Sequence, residues 1–481
     1  MTASVPSHSR HAARTLLLLA LAALSARAET RSASQLTCLV DSGELLPGTD
    51  EGELGSGFDF ERLASRRSGR DSRVRLVSSL EQPGLLPGVT TSAALRLDVD
   101  LDQLPQAPLR DAGSRLGVAW QGAGLTAALR AYPFDTDYVR LGYLHALDWG
   151  GTDVARGESV FGARSGGAPG AELELSLPRI RIGLAAKWTR QGAGPGDERR
   201  WGALLRGSFD FLPALRLDAG LGYFQRPAPL EPAAGSSFVE GASLRAVWHR
   251  GAPEPELAAE PFRPPTLRDE AQLLEAPSPT GMALALEGVT LVRRLRDLED
   301  RERSSLSASP ALGIYGSARG RSLAVHLAAT WRSLGFVLRN SSGLLDGAAL
   351  PAQTIAQAEL AAWLGGSATL LPWQLTPSLE LGCLLPAALQ AEGAVPGLVQ
   401  TFVVRGPAQI EALPLGAARL PILVGRVGLR LQLSSAMAIG LFGSYERDAN
   451  RVRWQSRAGA AVRTFATPDS VRFSAAAWSR F

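Results

Sequence analysis

Three carboxylates stand at alternate positions in the stretch LDVDLDQ: Asp98, Asp100 and Asp102. A calcium loop offers its first oxygen ligands at that spacing, but it then needs a glycine for its sharp turn and a closing glutamate. Gln103 occupies the glycine position and Leu109 the glutamate position. The aspartates also alternate with Leu97, Val99 and Leu101, so the stretch reads better as the polar wall of a strand, with calcium as the weaker reading. His145 and Ser159 could serve as base and nucleophile on the rim of a barrel hydrolase, yet no third group orients them. After the first 28 residues the histidines are His145, His249 and His326, none paired at metal-ligand spacing, and neither H-E-x-x-H nor C-x-x-C occurs. No G-x-S-x-G elbow or phosphate loop is found, and QGAGLTA and ELGSGFDF are too short and too badly placed for a dinucleotide fingerprint. The chain reads as a non-enzyme with no cofactor and no metal.

Cations at alternate positions are the chemistry that remains. In RIRIGLAAKWT, Ile180, Ile182, Leu184, Ala186 and Trp188 share one face, while Arg179, Arg181, Gly183, Ala185 and Lys187 share the other. ALRLDAGLGYF opposes Leu215, Leu217, Leu221 and Tyr223 to Arg216 and Asp218. LVGRVGLRLQL opposes Leu423, Val427, Leu429, Leu431 and Leu433 to Arg426, Gly428, Arg430 and Gln432. RVRWQSRAGAAVRT opposes Val452, Trp454 and Val462 to Arg451, Arg453, Arg457 and Arg463. Helical spacing would scatter these arginines around an axis, whereas a strand sets them on one wall. With Arg472 and Arg480 they outnumber the wall acids Asp98, Asp100, Asp102, Asp218 and Glu446. A pore lined this way favours anions, because its low-dielectric wall focuses the cationic field on the water column. The opposing reading pairs the arginines with loop acids and fills the lumen.

The elements that must carry such a wall recur along the chain. Two-periodic segments alternate with clusters of Gly, Pro, Ser or charge, and further examples are SAALRLDVDL, GLTAALRAY, DYVRLGYL, SFVEGASLRAVWH, GMALALEGVTL, SLAVHLAATW and AMAIGLFGSY. Many span the roughly 9–11 residues that a tilted strand needs to cross a bilayer. Leu212-Pro213 and Leu371-Pro372 read as tight turns, and the Pro-rich stretch Gly251 to Thr280 as a surface loop or lumen plug. RRLRDLEDRERSS, from Arg293, reads as a solvated loop or short helix, or else as a loop folded in to narrow a pore. At about 25 residues per strand with its loop, the chain allows roughly 16–18 strands. Short turns and long loops should alternate, but counting back from Phe481 puts Ser434-Ser435 on the long-loop side, which implies a missed or merged strand. Residues 29–70 read as a periplasmic lead or irregular hairpin before a barrel over 71–481.

The first residues, MTASVPSHSRHAARTLLLLALAALSARAET, combine a basic stretch, an apolar run too short to span a bilayer, and Ala26-Arg27-Ala28 as a small-x-small cleavage site. This is a secretory signal peptide over residues 1–28. Its removal takes away Arg10, Arg14 and Arg27 and no acid, so most of the net charge of +4 leaves with it and the basic balance points to no nucleic-acid partner. Cys38 and Cys383 are too few for a disulfide framework, although one bridge between them stays open in an exported chain.

The chain ends in VRFSAAAWSRF, with Val471, Phe473, Ala475, Ala477, Ser479 and Phe481 on one face. This resembles the C-terminal insertion signal of Gram-negative outer-membrane β-barrel proteins, matched at Phe473, Ala475, Ala477 and Phe481 and departed from at Ser479. LRAYPFDTDYVRLGYLHALDWGG resembles a segment of porin-like proteins. The resemblance implies an all-β transmembrane antiparallel barrel in the outer membrane, with lipid, the barrel-insertion machinery and small hydrophilic solutes as its partners. Two alternatives stay open: a closed or plugged barrel acting in an envelope assembly, and a soluble secreted β-rich protein.

Overall fold

Alternation of apolar and polar side chains over 7 to 16 residues makes long strands, and the chain uses them almost throughout. The computed structural model describes residues 31–42, 56–59, 64–67, 71–84, 86–100, 109–111, 114–134, 139–142, 145, 147–148, 169–191, 198–227, 236–251, 280–296, 304–338, 354–392, 396–406, 409–434, 437–457 and 460–480. The long strands are β1 (Arg31–Ser42), β2 (Asp71–Pro83), β3 (Val89–Asp100), β4 (Arg115–Gln121), β5 (Thr126–Tyr132), β6 (Gly170–Ser176), β7 (Ile180–Gln191), β8 (Glu198–Leu212) and β9 (Leu215–Pro227). They continue as β10 (Ser236–Gly251), β11 (Gly281–Arg296), β12 (Ser304–Arg319), β13 (Leu323–Arg332), β14 (Glu359–Ala368), β15 (Leu375–Leu385), β16 (Ile422–Ser434), β17 (Met437–Asp448) and β18 (Asp469–Arg480). Each pairs antiparallel with the next. β18 then pairs with β1, Cys38 opposite Ala477, and the ladder closes on itself. Among the described residues this is an eighteen-stranded ring, with Leu109–Asp111 as a short extra segment against β3.

Outside the ring lies a belt of exposed apolar side chains. Val118, Leu129, Leu173, Leu184, Leu205 and Leu221 sit side by side in one row across β4 to β9. Trp248, Leu284, Leu327, Leu364 and Leu381 make a comparable row over β10 to β15. In water each of these leucines would forgo up to about 2 kcal/mol of burial, a loss that lipid removes. Aromatic side chains edge the belt. Trp201 lies 5.6 Å from Tyr223 towards one rim, and Phe209 stands edge-on to Phe211 at 6.0 Å towards the other. The climb along β8 between the two pairs is roughly 26 Å at a strand's rise per residue, or about 20 Å once tilted, close to the apolar height of a bilayer barrel.

Antiparallel order sorts the connections into two ends. Seven of those after even-numbered strands are brief, at 84–88, 122–125, 177–179, 213–214, 320–322, 369–374 and 435–436. The Pro-rich connection between β10 and β11 shares that end, and residues 252–279 of it lie outside the described set. The opposite end carries the longer loops.

Several expectations change. RVRWQSRAGAAVRT is not a wall strand: Val452–Arg457 and Ala460–Phe465 pair with each other as a separate hairpin in the loop between β17 and β18. Reading it as one strand was the merger that misplaced Ser434-Ser435, which lies at the short-turn end. DYVRLGYL is not a wall strand either, and contributes only the two-residue pairing of Arg140–Leu141 with Leu147–Asp148. The start of RRLRDLEDRERSS extends β11 to Arg296, because the strand continues well past the belt, and β12 resumes at Ser304. The barrel reaches back to Arg31, ahead of the expected boundary at residue 71. Cys383 is a free thiol on the outer face of β15, so the bridge left open to Cys38 does not form. Ala26, Ala28 and Phe481 lie outside the described residues, whereas Phe473, Ala475 and Ala477 pair through β18 with both β1 and β17.

Candidate functional site: the barrel interior

The inner wall has two unlike halves. On the first, β5 to β12, most polar side chains are buried and many of them form ion pairs. Arg130 of β5 meets Glu174 at 2.6 Å and Glu172 at 3.8 Å on β6. Glu172 also pairs with Arg206 of β8 across the intervening β7, and accepts from the Tyr132 hydroxyl at 3.4 Å. Nearer the short-turn end Arg216 pairs with Asp210 at 2.8 Å. Asp218 accepts from Ser208 at 2.5 Å and from Arg245 at 2.6 Å, and Arg245 stands opposite Glu287 in the ladder.

A chain segment folds inward and covers this half. Leu141 rests against the backbone of β9, where a Cβ at Gly220 would meet it at 2.6 Å and one at Gly222 at 2.9 Å. Gly142 turns the chain with a φ of 72°, a left-handed value that glycine adopts without strain. The amide of His145 then donates to Glu287 at 2.9 Å. A second inward segment starts at helix α1 (Leu334–Val337), whose Gly335 carbonyl accepts from Arg293 at 3.0 Å. Its Phe336 meets the His145 ring edge-on at 5.7 Å. Tyr132, Leu141, Leu204, Phe224, Leu291 and Phe336 thereby share an apolar cluster inside the barrel.

The second half, β13 to β17, stays partly open. His326, Ser367, Thr376, Ser378, Glu380, Arg426, Arg430 and Gln432 point inward and keep intermediate exposure. The Arg426 and Glu380 side chains are 37% and 26% exposed, against 5% for both Glu172 and Arg206. Arg426 lies over the Phe442 ring at 4.8 Å and approaches Glu380 only to 3.9 Å. One turn of the ladder below, the buried Arg430 Nε meets no protein acceptor among the described residues. Among the partly exposed charges of β14 to β16 two arginines thus face one carboxylate, while Glu359, at the start of β14, is buried on Arg332.

Above both halves, loops at the long-loop end are stitched together. Residues 355–357, 388–392, 399–406 and 409–412 form a four-stranded sheet over Leu334, Val337, Leu389 and Val404. Arg419 donates to the carbonyls of Ala358, at 2.7 Å, and Pro386, while burial pushes its guanidinium below the usual range and Glu359 partly offsets this. Asn450 holds Leu420 through two hydrogen bonds of 2.6 and 2.7 Å.

A closed even-stranded ring with an apolar exterior and a charged interior decides the architecture. The chain is a membrane-type antiparallel β-barrel. Its fold is similar to that of several solved structures: Pseudomonas aeruginosa OccK3 (OpdO) at 10% identity, covering 94% of this chain and 96% of that one, with a TM-score of 0.46. OpdK of the same organism, solved with vanillate, aligns at 9% identity over 94% and 98% with a TM-score of 0.46. Acinetobacter baumannii OccAB1 aligns at 7% identity over 95% and 98% with a TM-score of 0.49. No known family pattern and no curated protein matches the sequence.

Of the nine cations expected on the barrel's wall, Arg426 and Arg430 face the open half. Arg181, Lys187 and Arg216 point inward on the covered half, Lys187 fully buried. Arg179 sits exposed in the turn between β6 and β7. Arg453, Arg457 and Arg463 stand on the separate hairpin, off the ring. Sequence reasoning missed Glu172, Glu174, Asp210, Glu287 and Glu380. The alternation in ELELS would have found the first two, but their partners come from strands far away in sequence.

Proposed function

We propose that this barrel passes small hydrophilic solutes across the outer membrane, with an anion preference set by Arg426 and Arg430. The reading rests on one observation: with Glu359 and Glu446 buried on Arg332 and Arg451, the partly exposed wall of β14 to β16 keeps two arginines against Glu380 alone, and Arg430 has a donor that no protein acceptor meets among the described residues. A solute moving along β14 to β16 passes cations whose field the surrounding protein does not cancel. The ion pairs of the covered half hold the wall together and leave little field for the lumen. Export by cleavage after Ala28, and insertion guided by Phe473, Ala475, Ala477 and Phe481, belong to the same proposal.

Current through the purified chain in a planar bilayer across a salt gradient tests it. The wild type gives discrete steps with a reversal potential on the anion side. R426Q/R430Q moves that potential towards cations, while R179Q, in an exposed turn, leaves it alone. An unchanged potential in the double variant refutes the filter. The cluster of inward segments favours a second reading, a plugged barrel with a structural role, which a silent bilayer from demonstrably folded protein would select.

A further inference from the structure

We propose that the hairpin 452–465 is an anchor for the phosphorylated headgroups of the outer leaflet's glycolipid. Between Asp448 and Asp469 the sequence places Arg451, Arg453, Arg457 and Arg463 and no acid. Arg451 is turned into the wall, on Glu446 at 3.1 Å and Ser470 at 2.9 Å; on the hairpin itself Arg463, opposite Trp454, stands on one face and Arg453, opposite Thr464, on the other.

The hairpin grows directly from the lipid-facing wall. Its base is tied by Asp448 N–H to the Pro468 carbonyl at 2.7 Å and by Ala466 N–H to the Arg451 carbonyl at 2.9 Å. Tyr445 and Arg447 stand on the outer face of β17 just below it, so Trp454 lies past the top of the apolar belt. Trp454 and Phe465 share one hairpin face and remain 63% and 45% exposed. Arg463 lies over the Trp454 ring at 4.6 Å. An exposed indole beside a planar guanidinium suits the boundary layer of a membrane, where the ring sits among acyl roots and the guanidinium edge donates to phosphate. A barrel's longer loops face outward, which sets this end against the outer leaflet. Charge and continuity with the belt therefore favour a phosphorylated lipid over an acidic protein.

The test is fluorescence anisotropy of dye-labelled diphosphoryl lipid A, titrated with the folded full-length chain in detergent micelles. At about five-fold per cation, R463Q, which removes the cation on the Trp454 face, weakens binding about five-fold, and R453Q/R457Q/R463Q weakens it further. Dephosphorylated lipid A binds the wild type as poorly as the intact lipid binds the variant. Equal binding by variant and wild type overturns the proposal, as does equal binding of the two lipids or full displacement by a soluble polyanion. A gel shift on boiling checks that the variant is folded; should the triple variant fail that check, R463Q alone reads the same effect at about five-fold. Channel conductance is not involved, so the outcome stands apart from that of the selectivity experiment.

Discussion

Gly183 carries no side chain, and that gap lets two others meet. A Cβ there would lie 3.3 Å from Arg206 Nε and 3.5 Å from Glu172 Oε1, between strands that are not neighbours in the ladder. E172Q leaves Arg206 facing a neutral amide in a buried place, which costs about 3 kcal/mol, while Arg130 keeps Glu174. G183V forces the same pair apart from the other side. Both should lower the urea midpoint of the detergent-folded barrel without changing its slope, and an unchanged midpoint for E172Q would show that the pair adds nothing. Alternation alone made Arg426 and Arg430 legible, since period two fixes which face they occupy. Whether a wall cation was matched was not legible, because Arg206 finds its acid two strands away and no local pattern encodes that register.

Among the elements, the inward segment around Leu141 escaped a reading by periodicity. DYVRLGYL alternates as well as many true strands, but Gly142 breaks it with a left-handed turn, and its place is fixed by contacts with β9 and β11. The hairpin 452–465 misled for a different reason, since two short strands separated by only two residues mimic one long strand. At Gly220 the docking of Leu141 has a direct test. G220L fills the notch on which Leu141 rests while leaving the backbone of β9 in its ladder. The barrel should still fold and shift on a gel, but with the inward segment displaced its single-channel conductance should rise and become noisy. An unaltered conductance would mean that the segment lies away from the solute path.

For the whole molecule, strand count and closure followed from length and rhythm, and the expected 16–18 strands bracket the ring described here. The first strand was hidden because RSASQLTCLVDS alternates weakly; its pairing with β18 and β2 is dictated by the need to leave no open edge in lipid rather than by its own composition. The same closure fixes which way Cys383 points. It lies in the outward row of β15 with Leu379 and Leu381, facing lipid. In a C38S background, reconstituted in liposomes, a membrane-soluble maleimide should therefore label Cys383 while a charged maleimide should not. Denaturation in detergent should make both react. Equal labelling of the reconstituted protein by the charged reagent would place that row in water, and with it would fall the apolar belt as the surface that meets the bilayer.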